Sequence, residues 1–344
     1  MANRLRVCVV GAGFFSQFHY DAWTRLADVD LVGLCALTGD EARAAAARHA
    51  VPRWYDDLDA MLDAEAPDLL DIVTPPPTHR ACIDAAIARG IPAICQKPFC
   101  GSLAEAEAAV AAIGRAGATV AVHENFRFQP WYGRIREAIG DGTLGEVYQA
   151  TFRLRPGDGQ GPDAYFDRQP YFRTMERFLV HETAIHLLDV FRFLFGEPAC
   201  VFARLARLNP AVAGEDAGVI LLEFDSGVRA MFDGNRLADH AAGNRRLTMG
   251  EMLVEGSKAT LRLDGWGRLW LRAHGGNDER ELAYDWTDRG FGGDCVLRLQ
   301  SHVVDHLLRG APLDNAAAGY LANLRLEEAV YRSHAEGRVE RLSG

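Results

Sequence analysis

The sequence predicts an α/β protein with two domains: a doubly wound N-terminal domain around a parallel sheet, and a C-terminal α+β domain around a mostly antiparallel sheet. The first observation is length, because 344 residues exceed one ordinary domain core and suit two. The second is that short apolar runs alternate with helical stretches over residues 1–122. The third is that closely spaced strand-like runs, separated by turn residues, follow from residue 123 onward. We therefore predict domains 1–122 and 123–344.

The elements of the first domain follow from local patterns. Continuous apolar runs, typical of parallel strands buried on both faces, predict strands at Leu5–Val10, Leu31–Cys35, Leu69–Val73, Pro92–Cys95 and Thr119–Val122. Helices are predicted between them at Ser16–Leu26, Asp40–His49, Thr78–Arg89 and Ser102–Ala116. Asp40 is the expected N-cap of the second helix. Ser102 and Glu105 have the spacing of a capping box.

The second domain is predicted to contain mainly strands joined by short turns. Strand-like runs punctuated by turns such as Asp225-Ser226-Gly227 predict strands at Val147–Arg155, Val201–Leu208, Val219–Phe224, Val228–Asp233, Leu247–Val254, Ala259–Leu263 and Leu269–Arg272. A helix should follow Pro130, and longer helices are predicted at Glu182–Phe195, Val296–Arg309 and Ala316–Glu336.

Composition excludes several classes of function. The net charge is −10, and the positive charges are scattered, which argues against nucleic-acid binding. No apolar run approaches the roughly 20 residues of a membrane span, and the N-terminus lacks a signal-peptide pattern. Seven cysteines without a CxxC pair suggest buried, reduced thiols. We expect a cytoplasmic protein without a nucleic-acid or membrane partner.

A glycine-rich turn joins the first predicted strand to the first helix. Gly11 and Gly13 occupy the first two glycine positions of a dinucleotide-binding fingerprint, and Ser16 occupies the third. Backbone N–H groups and a helix N-terminus at such a turn bind a pyrophosphate. The alternative is a tight turn that binds no nucleotide. Ala36 stands where an acidic residue would bind the ribose, and Arg43 lies a helical turn further on. This favours NAD weakly and leaves NADP open.

Two further groups of residues are candidates for a catalytic role. Lys97 follows a buried strand and precedes Pro98, which fixes the turn and so the direction of the lysine; the alternative is a surface lysine lying over apolar surface. Glu182 and His186 are four residues apart and share one face of an α-helix, where the carboxylate can orient the imidazole. The alternative is a structural Glu–His pair. His181 and His186 are five apart, about 140° on an α-helix, which excludes the HExxH zinc motif.

These motifs together resemble the Gfo/Idh/MocA oxidoreductase family, which includes glucose–fructose oxidoreductase and inositol dehydrogenase. The resemblance rests on the glycine turn, Thr74 to His79 (like TPPxxH), Gln96-Lys97-Pro98 (like EKP), Asn125 to Phe128 (like NxRF), Glu182 with His186 (like DxxxH), and the tail from Ala329 to Arg338. The stretch from His123 to Trp131 is also similar to the D-apiose dehydrogenases of this family.

The resemblance implies a Rossmann domain followed by a domain with a large open sheet that assembles dimers or tetramers. It implies hydride transfer between a sugar or polyol and nicotinamide, with Lys97, His186 and Glu182 as catalytic residues. The residues that it places at the cofactor are Gly11, Gly13, Phe14, Phe15, Ala36, Thr74, Pro75, His79, Gln96, Lys97 and Asn125. Those expected at the carbohydrate substrate are Lys97, Arg127, Arg153, Tyr165, His181, Glu182 and His186. No metal site is expected.

Gln96 and Glu182 depart from the family pattern, which has glutamate and aspartate there. The loss of a charge at Gln96 would be expected to affect the pKa of Lys97, and the longer Glu182 side chain moves its carboxylate by about 1 Å. The substrate that we favour is an aldose oxidised at its anomeric carbon to a lactone. An NAD-dependent glycosidase and a nicotinamide-binding regulator without catalysis remain alternatives.

Overall fold

The computed structural model describes residues 4–342 and divides the chain into two compact units. The first unit holds residues up to Asn125 together with Cys295–Ala322, and the second holds Phe126–Asp294 together with residues from Asn323 onward. The division differs from the predicted boundary at 122/123. It lies three residues later, and a C-terminal segment returns to the first unit, which a single cut in the sequence cannot represent.

The first unit is built on a six-stranded parallel sheet with the order β3-β2-β1-β4-β5-β6. Its strands are β1 (Leu5–Val10), β2 (Val29–Cys35), β3 (Trp54–Tyr55), β4 (Leu69–Ile72), β5 (Ala93–Gln96) and β6 (Val120–His123). The order reverses between β1 and β4, the switch point beside which open α/β sheets bind ligands.

The second unit is built on a nine-stranded sheet with the order β14-β13-β12-β11-β7-β10-β9-β8-β15. Its strands are β7 (Val147–Leu154), β8 (Pro198–Ala206), β9 (Ala217–Phe224), β10 (Arg229–Asn235), β11 (Gly250–Gly256), β12 (Ala259–Leu263), β13 (Leu269–Ala273), β14 (Arg280–Glu281) and β15 (Glu340–Arg341). Neighbours are antiparallel except β7 and β10, which are parallel. The predicted fold class is confirmed.

The helices, numbered along the chain, are α1 (Ser16–Arg25), α2 (Gly39–His49), α3 (Leu58–Glu65), α4 (His79–Ala88), α5 (Leu103–Ala116), α6 (Pro130–Gly140), α7 (Ile185–Phe195), α8 (Cys295–Arg309) and α9 (Ala317–Glu336). Helix α8 packs against α1, which explains why the C-terminal segment belongs to the first unit. Within residues 4–342, no helix is both long and apolar enough to cross a membrane.

The caps of two helices test the predictions at single-residue level. Ser102 caps α5 as predicted, with its side chain accepting a hydrogen bond from the Glu105 N–H. The prediction for α2 was wrong by two residues, because Thr38 is the N-cap and accepts from the Glu41 N–H. Asp40 instead lies in the first turn, where its negative charge interacts favourably with the partial positive charge of the helix N-terminus.

One face of the nine-stranded sheet carries the core of the second unit. Alternate residues of β7, such as Ala150 and Phe152, are buried and cluster with Leu187 and Phe191 of α7. The intervening residues of the same strand, such as Arg153, are exposed on the opposite face. The side-chain alternation of a strand therefore separates a packed face from an open one.

Candidate functional site

The glycine-rich turn fits a dinucleotide phosphate. Gly11 has φ +123°, and a Cβ there would overlap the carbonyl of Val73, so a larger residue could not occupy this position. A Cβ at Gly13 would meet no described atom within 4 Å. Helix α1 begins at Ser16 without a side-chain cap and without an acidic residue in its first turn, which suits an anion. The Ser16 hydroxyl donates back to the Gly13 carbonyl at 2.6 Å and holds the turn.

The end of β2 supplies no carboxylate for a ribose. Ala36 is buried and donates its N–H to the carbonyl of Tyr55, and Leu37 is 89% exposed. Asp40 and Arg43 form an exposed ion pair with each other at 2.7 Å. Phe14 at the glycine turn is exposed, Phe15 is half-buried, and Asn125 is buried just beyond β6.

A buried polar network runs through the first unit to the backbone of Lys97. Asp71, an acid inside the apolar strand β4, contacts His19 Nδ1 at 2.8 Å and accepts a hydrogen bond from Trp23 Nε1 at 2.7 Å. His19 Nε2 lies 2.8 Å from Gln96 Nε2, and Gln96 Oε1 accepts from the N–H of Lys97 at 2.9 Å. The residue that bears the candidate catalytic amine is therefore tied to the core of its own unit.

His79 joins two loops that flank the carboxyl end of the parallel sheet. Its Nε2 lies 2.8 Å from the carbonyl oxygen of Thr74, and its Nδ1 lies 3.2 Å from that of Phe99. The side chain is fully buried, and burial lowers the pKa of the imidazole. Both ring nitrogens therefore face carbonyl oxygens, which can only accept. The imidazole therefore supports the turn containing Thr74 and Pro75 from behind.

In the second unit, His186 lies near the start of α7 and is 5% exposed. Its ring stacks on Phe126, with the centroids 4.1 Å apart and the planes at 7°. Phe126 belongs to a short 3₁₀ turn, Phe126–Phe128. An aromatic partner on one face fixes the plane of the imidazole and limits its rotation.

The segment before α7 is a π-helix, Leu179–Ala184, where an α-helix from Glu182 was predicted. In a π-helix the hydrogen bonds join residues five apart, so the 140° separation of His181 and His186 does not apply across this turn. The spacing argument against zinc was therefore based on the wrong geometry. Across residues 4–342, no group of three or more His, Cys, Asp or Glu side chains is placed to hold a metal ion.

Two buried charged residues hold this π-helix. Glu215 Oε1 accepts hydrogen bonds from the N–H groups of Phe178 and Val180 at 3.2 and 3.1 Å, at the start of the helix. Arg236, which is 1% exposed, donates to the hydroxyl of Thr183 at 2.7 Å. The positions of His181 and Glu182, which lie between these contacts, depend on both.

Two carboxylates orient groups next to the candidate site residues. Glu327 of α9 is 3% exposed and contacts His181 Nδ1 at 2.7 Å. Asp189 of α7 is fully buried and accepts from Arg127 at 2.7 and 2.5 Å, and from Asn323 at 2.6 Å. Arg127 therefore anchors the helix that carries His186, although it was predicted to bind substrate.

Two predicted substrate residues of the second unit contact other protein groups. Arg153 lies on the open face of the sheet, opposite the face that packs against α7, and pairs with Glu251 at 3.6 Å. Tyr165 is 7% exposed in a small aromatic core, and its hydroxyl accepts from Arg236 at 3.0 Å. Trp131, the last residue of the stretch from His123 that resembles the D-apiose dehydrogenases, is fully buried, and its ring lies next to that of Trp286.

Sequence reasoning missed four residues that support the candidate site: His19, Asp71, Glu215 and Glu327. Asp71 had a readable signal, because an acid inside the run Leu69–Val73 must find a buried partner. Glu215 and Glu327 had none, because their partners are more than 30 residues away along the chain.

Comparison with known proteins adds to this geometry. Residues 5–124 match the model described as "Oxidoreductase family, NAD-binding Rossmann fold", and residues 132–262 match "GFO/IDH/MocA C-terminal domain". A D-apiose dehydrogenase of Paraburkholderia graminis is 36% identical over 99% of this chain and 90% of its own length. A D-apiose dehydrogenase of Rhizobium rhizogenes is 31% identical over 98% of this chain and 97% of its own length.

Among solved structures, an oxidoreductase of Agrobacterium radiobacter has a TM-score of 0.88 and 29% sequence identity, with 98% of each chain covered. That protein was crystallised in complex with NAD+, L-tartaric acid and magnesium. The similarity spans both units of the chain.

Proposed function

Because the chain belongs to the Gfo/Idh/MocA oxidoreductase family, we propose that it oxidises D-apiose, or a closely similar aldose, at the anomeric carbon to a lactone. The chain is a sugar dehydrogenase that uses NAD. The sugar and the carbon are the new part of the proposal. The observation that carries it is the similarity to two D-apiose dehydrogenases over nearly the whole chain.

The residues of the glycine turn would hold NAD through its pyrophosphate, and NAD when bound accepts the hydride that the sugar loses. Gly11 and Gly13 let the phosphates approach the backbone, and the N-terminus of α1 faces them with its partial positive charge. Position 36 is an alanine and carries no carboxylate to bind the ribose hydroxyls of NAD. We therefore expect the protein to discriminate only modestly against NADP.

Lys97 and His186 are the residues that we assign to the hydroxyl proton of the sugar. Lys97 follows the buried strand β5, and its backbone is fixed by Gln96, which limits where the amine can reach. The ring plane of His186 is fixed by Phe126. In our proposal both side chains hydrogen-bond the hydroxyl and one of them accepts its single proton, while Glu182 binds a neighbouring hydroxyl.

His181 is the other group that we assign to a sugar hydroxyl. Its imidazole is half-buried, and its Nδ1 contacts Glu327 at 2.7 Å. A buried carboxylate that fixes one ring nitrogen sets the direction of the other. In this proposal Arg127 acts on the site through Asp189, and Arg153, which pairs with Glu251, is not assigned to the sugar.

The proposed substrate is tested by following NADH absorbance with the purified protein, NAD or NADP, and a panel that includes D-apiose, other pentoses, hexoses and inositol. We expect the highest kcat/KM with D-apiose and NAD, and a lactone as the product. Oxidation of inositol in preference to every aldose would contradict the proposal. Sugar release from a glycoside without net NADH would indicate the glycosidase alternative.

We also propose that the open face of the nine-stranded sheet joins copies of this chain. A row of mostly apolar side chains crosses five strands through register neighbours, namely Phe202, Leu221, Met231, Thr151 and Leu253. Leu221 is 42% exposed, and nearby Val219 and Tyr148 are 37% and 53% exposed. An exposed apolar face of this kind is typical of a surface that is covered in the assembly.

Replacing Leu221 with Glu places a charge in the middle of this row. We expect wild-type protein to be a dimer or tetramer by light scattering and Leu221→Glu to dissociate towards monomer. Leu208→Glu, which changes another half-exposed leucine outside the sheet, is the matched control and should keep the wild-type mass. A monomeric wild-type protein would contradict the proposal.

A further inference from the structure

The orientation of the Gln96 side chain follows from its neighbours. The backbone N–H of Lys97 can only donate, so the atom that faces it at 2.9 Å must be the amide oxygen. The amide nitrogen is then the atom that faces His19 Nε2 at 2.8 Å. A flipped amide would place two donors against each other at Lys97, which excludes it.

This orientation determines where His19 carries its proton. Because the Gln96 nitrogen donates, His19 Nε2 must accept and carries no hydrogen. The ring proton is then on Nδ1 and is donated to the carboxylate of Asp71 at 2.8 Å. Asp71 Oδ2 also accepts from Trp23, so it acts as an acceptor on both contacts.

We propose that Gln96 is a positioning residue that keeps His19 as the neutral Nδ1–H tautomer at neutral pH, and that the chain Asp71–His19–Gln96 fixes the backbone at Lys97. The chain runs from a strand in the middle of the sheet, through helix α1, to the end of β5. Every contacting atom in it has one role, donor or acceptor, so the arrangement has a single pattern of hydrogen bonds.

An amide and a carboxylate at position 96 require different numbers of protons on His19. A glutamate there would accept from Lys97 and present its second oxygen to His19 Nε2, which would then need a proton as well. With Asp71 still holding Nδ1–H, His19 would become an imidazolium between two carboxylates. The network would keep the same total charge, because one added negative charge is offset by one added proton. With the amide of Gln96, His19 Nε2 carries no proton, so the network has no proton at this position to lose as the pH rises.

The described polar groups that face His19 come from three strands and one helix. Asp71 faces it from β4 and Gln96 from β5, while His123 of β6 packs against its ring with centroids 4.1 Å apart. From α8, Gln300 donates to the His19 carbonyl rather than to the ring, at 3.4 Å. Gln96 also lies 3.4 Å from His123 Nδ1, the nearest second acceptor for its amide nitrogen.

The tautomer is measured directly by long-range ¹H–¹⁵N NMR of protein labelled at its 11 histidines, without substrate. The His19 signal is assigned by its absence in His19→Asn. We expect a protonated Nδ1 and an unprotonated Nε2 in the wild-type protein at neutral pH. An Nε2–H tautomer or a doubly protonated ring at His19 would overturn the proposal.

Gln96→Glu supplies the second readout. We expect its His19 to carry protons on both nitrogens at neutral pH and to lose one as the pH rises. Loss of that proton breaks one buried hydrogen bond, so kcat/KM should fall on the order of tenfold relative to wild type at alkaline pH. Wild type has no proton on Nε2 to lose, so its profile should lack this fall.

A variant with a neutral His19, or with a pH profile parallel to that of wild type, would overturn the role of Gln96. The kinetic readout rests on the proposed function of Lys97, whereas the NMR readout does not. If the sugar assignment failed while the tautomer was found as expected, the network would stand and only the substrate would change.

Discussion

At the scale of single residues, buried charges determine how the candidate site is held. Asp189 is completely buried, and its two strongest partners come from the 3₁₀ turn Phe126–Phe128 and from α9. A buried carboxylate that loses one partner keeps its desolvation cost without the compensating attraction. The contact is therefore asymmetric: it adds little over a well-packed apolar pair, but breaking it is costly.

Arg127→Met tests this contact. We expect a loss of about 2–3 kcal/mol in the free energy of unfolding, because Asp189 stays buried and keeps Asn323 at 2.6 Å and the more distant Arg192 at 3.8 Å, which replace the two Arg127 contacts incompletely. Urea unfolding of the two proteins measures the difference. Arg43→Met, which removes an exposed ion pair with Asp40, is the matched control and should unfold at the wild-type urea concentration. Equal effects of the two variants would contradict the account.

His79 predicts a dependence of stability on pH. Burial lowers its pKa in the folded protein, so below the unfolded pKa of about 6.5 the unfolded chain binds the extra proton. The contribution of His79 to the free energy of unfolding is therefore fully present above that pH, and it is lost as the pH falls towards the pKa of His79 in the folded protein. His79→Gln, which is neutral throughout, should reduce the slope of the free energy of unfolding against pH by up to about 1.4 kcal/mol per pH unit. An unchanged slope would show that His79 does not contribute.

At the scale of elements, the π-helix Leu179–Ala184 is the feature that most affects the site. It begins where Glu215 accepts two backbone N–H groups, and it ends directly at α7, which carries His186. Insertions of this kind occur often at functional sites because they redirect side chains that an α-helix would hold elsewhere.

Glu215→Ala and Glu215→Gln separate the role of the carboxylate oxygen from that of its charge. Removing the acceptor leaves two buried N–H groups unsatisfied, so we expect Glu215→Ala to lose roughly 2–3 kcal/mol in the free energy of unfolding and to lower kcat. Glu215→Gln keeps an oxygen and should recover most of both losses. If Gln were as damaging as Ala, the negative charge would matter and not the hydrogen bonds.

Most elements were predictable because their signals are local. The strands of the parallel sheet follow from continuous apolar runs, and Ser102 caps α5 as its spacing indicates. The π-helix was not predictable, since its first hydrogen bonds depend on Glu215, 35 and 37 residues away. The N-cap of α2 was missed because Thr38 and Asp40 are both good caps and only the backbone direction decides between them.

At the scale of the whole molecule, the family and the fold could be read from a series of motifs in order, whereas the organisation of the units could not. The return of Cys295–Ala322 to the first unit depends on the packing of α8 on α1, which no local pattern reports. The candidate site was predicted as a set of reactive residues, Lys97, Glu182 and His186. Gln96, which contacts the backbone of Lys97, was predicted at the site, whereas Phe126, which stacks on His186 from 60 residues away, emerged only from the structure.

The most direct test of the central claim is the rate of NADH formation from D-apiose by Lys97→Met. Wild type is the reference, and Lys258→Met, which changes an exposed lysine in the turn between β11 and β12, is the matched control. We predict that Lys97→Met loses kcat by about 100-fold or more, the usual contribution of a positioned acid/base group, while NAD binding measured by calorimetry is kept. Lys258→Met should match wild type. Wild-type kcat in Lys97→Met, in the presence of measurable D-apiose oxidation, would contradict the assignment of this lysine to the chemistry.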